Sequence, residues 1–300
     1  MSERVARLRQ QSLEAVPSIS TERAELVTEF YAQHRERVSE PVRRALVFQH
    51  LMEHKAIYLG QDELIVGEKG PAPKATPTYP ELCCHSLEDL DILDSREKIP
   101  FAVSGEARAR YEADIIPFWR GRSMRDLLFQ EMAPEWLAAY EAGVFTEFME
   151  QRSPGHTVLD DKIYRRGLLE FQADIQRSLA SLDFLGDPQA YAREQELRAM
   201  GIVVGAMIRF AERHAELAEA LALQEADPQR RAELAQIAAV CRHVPAHAPR
   251  DFWEALQAYW FVHLGVTIEL NPWDAFCPGR LDQHLQPFYE KALAEGTLTR

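Results

Sequence analysis

The chain has 300 residues, of which 46% are hydrophobic, and a formal net charge of -13 at pH 7. This composition allows a substantial core in one large domain or two ordinary ones, and the acidic balance argues against nucleic-acid binding, which needs clustered Lys and Arg. No apolar run reaches the length of a membrane span, and residues 1–15 predict a charged helix instead of a secretion signal, so we expect a cytoplasmic protein.

Cysteine spacing gives no sign of a zinc site. The chain contains no CxxC pair, and no histidine stands at zinc-site spacing from any of its four cysteines, Cys83, Cys84, Cys241 and Cys277. We therefore expect reduced thiols.

Helices dominate the predicted elements from the amino terminus onward. Ser20 can cap a first helix whose apolar residues recur at i, i+4, and a second helix from about Pro41 is expected to pair with it. Residues 62–70 are β-branched at their centre and end in glycine, so they are the best candidate for a strand or extended segment.

Residues 70–81 contain four prolines, which forbid a regular helix and favour an extended path. Both a linker between domains and an arm lying on the surface or across a cleft fit this composition. The segment runs on without the Ser and Gly of a flexible tether, which favours the arm.

Three short helices are expected next, from Ser104, Ser123 and Pro134, interrupted by the sequence IIPFWRGR at 115–122. Asp-Pro pairs at 187–188 and 227–228 then predict the N-caps of two long helices. These two helices are expected to form an antiparallel hairpin.

The carboxyl-terminal segment predicts a helix, a strand and a second helix. Asp251 and Glu254 form a capping-box-like start to a helix that Gly265 can end, and residues 266–270, VTIEL, have the β-branching of a short buried strand. The residues from Arg280 are expected to return as a helix. Strand, residue-rich loop and helix are the parts from which α/β barrels and open sheets build sites.

Two stretches concentrate titratable residues, at 152–167 and 267–284, and we expect them to converge on one buried pocket. His156 follows Pro154 and Gly155, so its backbone is stiffened. It can serve as a general acid, a general base or a hydrogen-bond donor to a substrate oxygen. A structural histidine satisfied by a neighbouring carboxylate explains it as well.

Asp274 is the carboxylate of greatest interest because it lies beside Trp273 in the second stretch. Desolvation there would raise its pKa or force it to pair with a cation. A turn aspartate bonding its own backbone is the alternative. Of the adjacent pair Asp160 and Asp161, one is expected to be a helix cap, and Asp161 is the better candidate.

Three polar residues open the returning helix, namely Arg280, Asp282 and His284. Ion pairing with each other or with Asp274 is the simplest explanation for them. A metal site built from His156, Asp274 and His284 is possible in ligand type, but their spacing does not support it.

Common catalytic motifs are absent from the sequence: no GxGxxG follows a predicted strand, and neither GxxxxGK[ST] nor GxSxG occurs. The residues alone therefore indicate a cytoplasmic, mostly helical part of a larger α/β enzyme with a polar pocket.

Three stretches resemble the amino-terminal part of glycyl radical enzymes of the pyruvate formate-lyase-like group, in the branch that contains dehydratases of trans-4-hydroxy-L-proline and relatives of the formate acetyltransferase type. They are ATPTYPELCCHSLEDL at 75–90, EFMEQRSPGHTVLDDKIYRRG at 147–167 and YWFVHLGVTIELNPWDAFCPGRLDQHLQPFYE at 259–290. The resemblance extends over essentially the whole chain.

This resemblance implies an α/β fold, a ten-stranded barrel of the pyruvate formate-lyase type around a dry cavity, with residues 1–300 as its mostly helical amino-terminal portion. In such enzymes a glycyl radical near the carboxyl terminus is relayed to a cysteine in a GCVE-like motif, which abstracts a substrate hydrogen. An S-adenosylmethionine-dependent iron-sulfur activating enzyme installs the radical and is the expected partner, together with a second copy in a homodimer. No cofactor or metal is expected to bind this chain directly.

Carried onto this sequence, the resemblance implies that His156 contacts the substrate and that Asp274 contacts its amine or hydroxyl, with Asp160 and Trp273 completing the substrate-binding set. The thiyl cysteine and the radical glycine are not in the sequence and are expected beyond Arg300. Gly296 and Thr299 stop one helix and announce another, which also makes the chain look cut off.

Two departures bear on the substrate. Residues 159–162, Leu-Asp-Asp-Lys, differ from the Cys-Gly-Asp-Thr type run of hydroxyproline dehydratases. Isethionate sulfite-lyases place an Arg and Gln type pair where His156 and Asp160 stand, and His156 would hold a sulfonate less well than an arginine would.

The expected reaction is radical dehydration of a small hydroxylated substrate such as trans-4-hydroxy-L-proline. One alternative is acyl transfer of the formate acetyltransferase type, with pyruvate and coenzyme A. The other is a non-catalytic helical binding or scaffold protein made from this chain alone.

Overall fold

The computed structural model describes residues 2–34, 37–145, 160–270 and 277–299. Most of these residues are helical, as predicted. The α-helices in chain order are α1 (Glu3–Glu14), α2 (Glu22–Gln33), α3 (Glu40–His54), α4 (Leu87–Ser95), α5 (Gly105–Arg110), α6 (Ile116–Trp119), α7 (Met124–Glu131), α8 (Pro134–Glu141), α9 (Leu168–Ala180), α10 (Ala190–Gln224), α11 (Pro228–His243), α12 (Phe252–Glu269) and α13 (Leu281–Ala294).

The core forms where the long helix α10 packs against α3, α9 and α11, and α12 contacts both α10 and α11. Phe210 of α10 and Phe261 of α12 are fully buried and meet edge to face, with ring centroids 5.9 Å apart. Leu51 and Met52 of α3 are buried in the same cluster. This packing confirms the predicted hairpin of α10 with α11 and the predicted pairing of α2 with α3.

Local capping signals located most helix starts correctly. The side chains of Ser104, Ser123 and Asp227 accept hydrogen bonds from the first-turn amides of α5, α7 and α11. Two starts differ by a few residues. Strand β1 (Ser18–Ser20) takes Ser20, so Thr21 precedes α2, while Asp187 closes a turn onto the amide of Gln189 before α10 begins.

The predicted interruption at 115–122 is shorter than expected. A π-helical turn, Tyr111–Ile115, leads from α5 directly into α6, so the chain stays helical as far as Trp119. Tyr111 and Ile115 are fully buried, which anchors this turn in the core. Only the residues from Arg120 leave the helix.

The predicted strand at 266–270 is wrong, and so is the predicted helix end at Gly265. Helix α12 continues through both to Glu269. Gly265 faces Met207 of α10 so closely that a Cβ there would lie 2.5 Å from the sulfur, so this glycine allows close packing instead of ending the helix. The β-branched Ile268 is 1% exposed, and Thr267 bonds back to the carbonyl of His263. Tertiary burial therefore overrides the local preference of these residues for a strand.

Residues 62–70 are extended and irregular, and they form no strand. Gln257 of α12, which is completely buried, accepts a hydrogen bond from the Val66 amide and donates one to the Val66 carbonyl, at 2.8 and 2.9 Å. Trp260 donates to the Gly67 carbonyl. Side chains of a helix thus replace the neighbouring strand that the sequence pattern suggested.

The proline-rich segment at 70–81 is not a surface arm along its whole length. Its centre forms strand β2 (Ala75–Pro77), which pairs in parallel with β1, Ser18 opposite Ala75 and Ser20 opposite Pro77. The residues that follow, including Tyr79 at 6% exposure, are buried. The segment therefore brings polar side chains into the core near the end of α12.

The described residues contain no helix long and apolar enough to span a bilayer.

His214 of α10 gives the fold a testable dependence on pH. The side chain is completely buried against Phe210 and Phe261, and its Nε2 has no hydrogen-bond partner among the described residues. Burial lowers its pKa to about 3. Below a pH of about 6.5 the unfolded chain binds a proton that the folded state excludes, so stability falls as the pH drops from about 6.5 to 3.

We predict that His214→Phe, which keeps the aromatic contacts, removes a pH slope of about 1.4 kcal/mol per unit from the free energy of unfolding in this range. Urea unfolding at a series of pH values measures the slope. Variant Leu223→Ala, at a 90% exposed position without a titratable group, should keep the slope of the natural protein. Parallel curves for the natural protein and His214→Phe would contradict the assignment.

Candidate functional site

In sequence, the two stretches that the sequence analysis singled out lie before α9 and between α12 and α13. His156 falls in 146–159, and Trp273 and Asp274 fall in 271–276, so all three lie outside the described residues. The structure describes what precedes and follows these segments: the carboxyl end of α12, the residues from Asp160, and those from Cys277.

The carboxyl end of α12 is held by side chains from distant parts of the chain. Arg23 of α2 donates from Nε to the Ile268 carbonyl at 2.6 Å, and the Tyr79 hydroxyl donates to the Thr267 carbonyl at 2.5 Å. Arg44 of α3 forms an ion pair with the Glu269 carboxylate. The last carbonyls of a helix lack intrahelical partners and carry partial negative charge, so phenol and guanidinium donors stabilise this end.

The positive charge of Arg23 is balanced within the core by the carboxylate of Glu81. Burial disfavours its charged form, but the Glu81 carboxylate outweighs that effect through charge and hydrogen bonding, so the pKa of Arg23 is raised above its ordinary value. The guanidinium also lies over the Tyr79 ring, 3.9 Å from its centroid.

A second group of polar residues joins the start of the described chain at Asp160 to helix α13. The carboxylate of Asp160 lies 3.6 Å from Nε2 of His284, whose side chain is 11% exposed. The Tyr164 ring contacts His284, with centroids 5.4 Å apart. The Tyr164 hydroxyl and the His284 Nδ1 are buried, and neither has a hydrogen-bond partner among the described residues. The structure thus brings Asp160 and His284 together, although the sequence paired His284 with other residues.

Asp160 and Asp161 have different backbone conformations. Asp160 has a φ of 47°, in the left-handed region that few residues other than Gly, Asn and Asp enter. Asp161 precedes a 3-10 turn, Lys162–Tyr164, without bonding its amides, and pairs with Arg165 instead. Asp161 therefore stands at the predicted cap position but makes no cap hydrogen bond.

The half-buried face of α12 adds a third polar group, close to Tyr164 and Cys277. The Tyr259 hydroxyl lies 3.2 Å from Nδ1 of His263, and the Trp260 and His263 rings are stacked. Burial raises the pKa of Tyr259, with a further contribution from Cys277, and burial lowers the pKa of His263. Burial also raises the pKa of Tyr164 to about 12.

These shifts keep the phenols protonated and the His263 imidazole neutral at neutral pH. Such groups donate and accept hydrogen bonds without carrying charge, which suits a polar region that excludes water. Arg23, Tyr79, Tyr164 and Tyr259 were not predicted as part of the site. Of these four residues, only Tyr259 could have been found from the sequence, because its i, i+4 spacing places it on the same helix face as His263.

Two surface cavities lie outside this region. One, of about 700 Å³, lies between α9, α10 and the start of α3, and the other, of about 610 Å³, lies between α7 and α8. No group of three metal-ligating side chains occurs in the described ranges. Burial raises the pKa of Cys84 and of Cys241 to about 12, so both remain thiols.

We predict that Asp160→Val lowers the free energy of unfolding by about 1–2 kcal/mol, because a β-branched residue is strained at a left-handed φ. Asp160→Asn should stay within about 0.5 kcal/mol of the natural protein, since Asn tolerates this conformation. The matched control is Asp161→Val, at a φ of -80°, which removes only an exposed ion pair. Urea unfolding tests the set, and equal stability of the two valine variants would refute the claim.

Comparison with known proteins shows which proteins this chain is related to, which the geometry alone does not indicate. The chain is 52% identical to trans-4-hydroxy-L-proline dehydratase of Clostridioides difficile over 298 residues, which is 99% of this chain and 38% of that protein. It is 33% identical to isethionate sulfite-lyase of Nitratidesulfovibrio vulgaris, over 94% of this chain and 35% of that protein. The chain therefore spans little more than a third of the length of these relatives.

Solved structures agree with the sequence comparisons. The crystal structure of hydroxyproline dehydratase from Clostridioides difficile, with trans-4-hydroxy-L-proline bound, matches all of this chain and 38% of its own, with a TM-score of 0.95 and 51% identity. A structure described for 1,2-propanediol dehydration in Roseburia inulinivorans matches with a TM-score of 0.90 and 34% identity, over 36% of its own chain. The predicted fold class, a mostly helical portion of the pyruvate formate-lyase type, is confirmed.

The model of the pyruvate formate lyase-like family matches residues 1–300. This match and the relatives above confirm the resemblance drawn from the three sequence stretches. The chain belongs to the pyruvate formate lyase-like family.

Proposed function

We propose that the protein containing this chain is a glycyl radical lyase that removes water from a small hydroxylated substrate, with trans-4-hydroxy-L-proline as the first candidate. The observation that carries the proposal is the 52% identity with trans-4-hydroxy-L-proline dehydratase over 99% of the chain. The structural match to the substrate-bound dehydratase, with a TM-score of 0.95, supports the same substrate class.

The proposed roles within this chain concern binding and proton handling. His156 bonds the leaving oxygen, and Asp274 bonds the ammonium or hydroxyl group of the substrate, with Trp273 and Asp160 as further substrate-binding candidates. A leaving hydroxyl needs a proton donor, and a radical intermediate needs exclusion of water, so both needs are met best in one dry, polar cavity. The uncharged, partly buried phenols of Tyr164 and Tyr259 support such an environment.

The radical chemistry is assigned to other groups. A glycyl radical, installed by an activating enzyme that uses S-adenosylmethionine and an iron-sulfur cluster, supplies hydrogen abstraction through a thiyl cysteine. Residues 1–300 contain no GCVE-like motif, and their cysteines carry none of these roles in the proposal. Residues 1–300 form part of one pyruvate formate-lyase-like domain, in a cytoplasmic homodimer.

We predict that the activated protein, assayed without oxygen, converts trans-4-hydroxy-L-proline into a product that has lost one molecule of water. Asp274→Asn should lower kcat/KM by about 100-fold or more, because the amide cannot replace the charge and proton-accepting capacity of the carboxylate. Mass spectrometry of the product and steady-state kinetics measure both effects.

The matched control is Asp282→Asn, an exposed carboxylate on α13, which should leave kinetics within about twofold. Near-normal turnover by Asp274→Asn would remove the proposed role of that residue. Turnover of pyruvate with coenzyme A, without dehydration of hydroxylated substrates, would favour the acyltransferase instead. Sulfite release from isethionate would favour a sulfite-lyase.

A further inference from the structure

Two buried hydroxyl groups in the core have no hydrogen-bond partner among the described residues. They belong to Tyr111, the first residue of the π-helical turn, and to Thr78, the residue after β2. Tyr111 is 0% exposed and Thr78 is 4% exposed, so neither hydroxyl reaches solvent at the surface. An unpaired buried hydroxyl is costly, and nearly all such groups in folded proteins bond either a protein group or an ordered water.

The two hydroxyls lie close to each other. Burial raises the pKa of Tyr111, and the nearby Thr78 side chain acts on that pKa in the opposite direction. Even so, the two side chains do not form a direct hydrogen bond. A direct bond would also leave one donor unused, because two hydroxyls carry two O–H donors and a mutual bond takes only one. A further polar partner is therefore needed.

The polar groups around this pair are already engaged. Smaller contributions from Cys84 and Glu81 to the raised pKa of Tyr111 show that both side chains lie nearby. The Glu81 carboxylate is bound by Arg23. The Cys84 thiol faces the backbone carbonyl of the next residue at 3.8 Å. Neither group bonds the Tyr111 hydroxyl.

We propose that one ordered water molecule binds between Oη of Tyr111 and Oγ1 of Thr78. This water accepts a hydrogen bond from one hydroxyl and donates one to the other, which meets the requirement of a buried water for at least two polar partners. It links the π-helical turn to the segment after β2. That segment contacts the end of α12, because the Tyr79 hydroxyl donates to the Thr267 carbonyl.

A crystal structure of the full-length protein, at a resolution that shows ordered water, tests the proposal directly. We expect an electron-density peak for water at about 2.6–3.2 Å from both Tyr111 Oη and Thr78 Oγ1. Crystals of Tyr111→Phe, which keeps the buried ring, should lack this peak. A direct bond between the two hydroxyls with no water beside them would overturn the proposal. So would a side chain from the rest of the full-length protein in the same position.

Urea unfolding of the full-length protein tests the proposal in solution. Tyr111→Phe and Thr78→Val each remove one hydroxyl and nearly keep the shape of the side chain. Each is expected to lower the equilibrium constant for folding by about tenfold, because the hydroxyl that stays loses its bridge. The double variant is expected to lose no more than the larger single loss, since the water then leaves a site without polar groups.

The direct bond from the Trp119 indole to Thr28 Oγ1, at 2.9 Å, provides the matched control. Thr28→Val also leaves a buried donor unpaired, but at a site that shares no hydrogen-bond partner with Tyr111. Combined with Tyr111→Phe, its loss should therefore multiply. Multiplied losses in the double variant of Tyr111 and Thr78 would overturn the proposal, because hydroxyls that share one water cannot act independently.

Discussion

The buried pairing of Arg23 with Glu81 is the interaction on which the arrangement around α12 depends. It neutralises a charge inside the core and joins α2, the segment after β2 and the carboxyl end of α12. Side chains of α12, namely Trp253, Gln257 and Trp260, also bind the backbone of residues 64–67. Displacing this helix would therefore disturb residues 64–67 as well as the contacts of Arg23. A buried ion pair of this kind adds little net stability over a well-packed apolar substitute, but removing one partner leaves a costly charge. The main contribution of the pair is therefore to hold α2, the segment after β2 and the end of α12 in fixed positions.

Local signals in the sequence predicted the helices well because capping is a local interaction. Ser104, Ser123 and Asp227 cap the helices expected from them. The predicted strand at 266–270 is wrong for the opposite reason, because tertiary burial is not a local signal: Thr267 and Ile268 are buried, and Gly265 packs closely against Met207 of α10. The partner of Val66 is a helix side chain, which no strand pattern can indicate.

The candidate site was predictable only in part. The sequence directed attention to the two polar stretches, and the described residues next to them are rich in buried polar groups. The contact of Asp160 with His284 could not be read from spacing, because it joins residues more than a hundred positions apart. Arg23 gave no signal at all, since an arginine in an amphipathic helix usually lies on a solvated face. These contacts do not indicate a reaction, and the proposed dehydration rests on the similarity to dehydratases.

A crystal structure of the full-length protein with trans-4-hydroxy-L-proline bound is the most direct test of the proposed binding site. We predict that the side chains of His156 and Asp274 both lie within hydrogen-bonding distance of one substrate molecule, in a cavity closed to solvent. A substrate bound elsewhere, or His156 and Asp274 contacting different regions of the protein, would contradict the convergence of the two segments on one pocket.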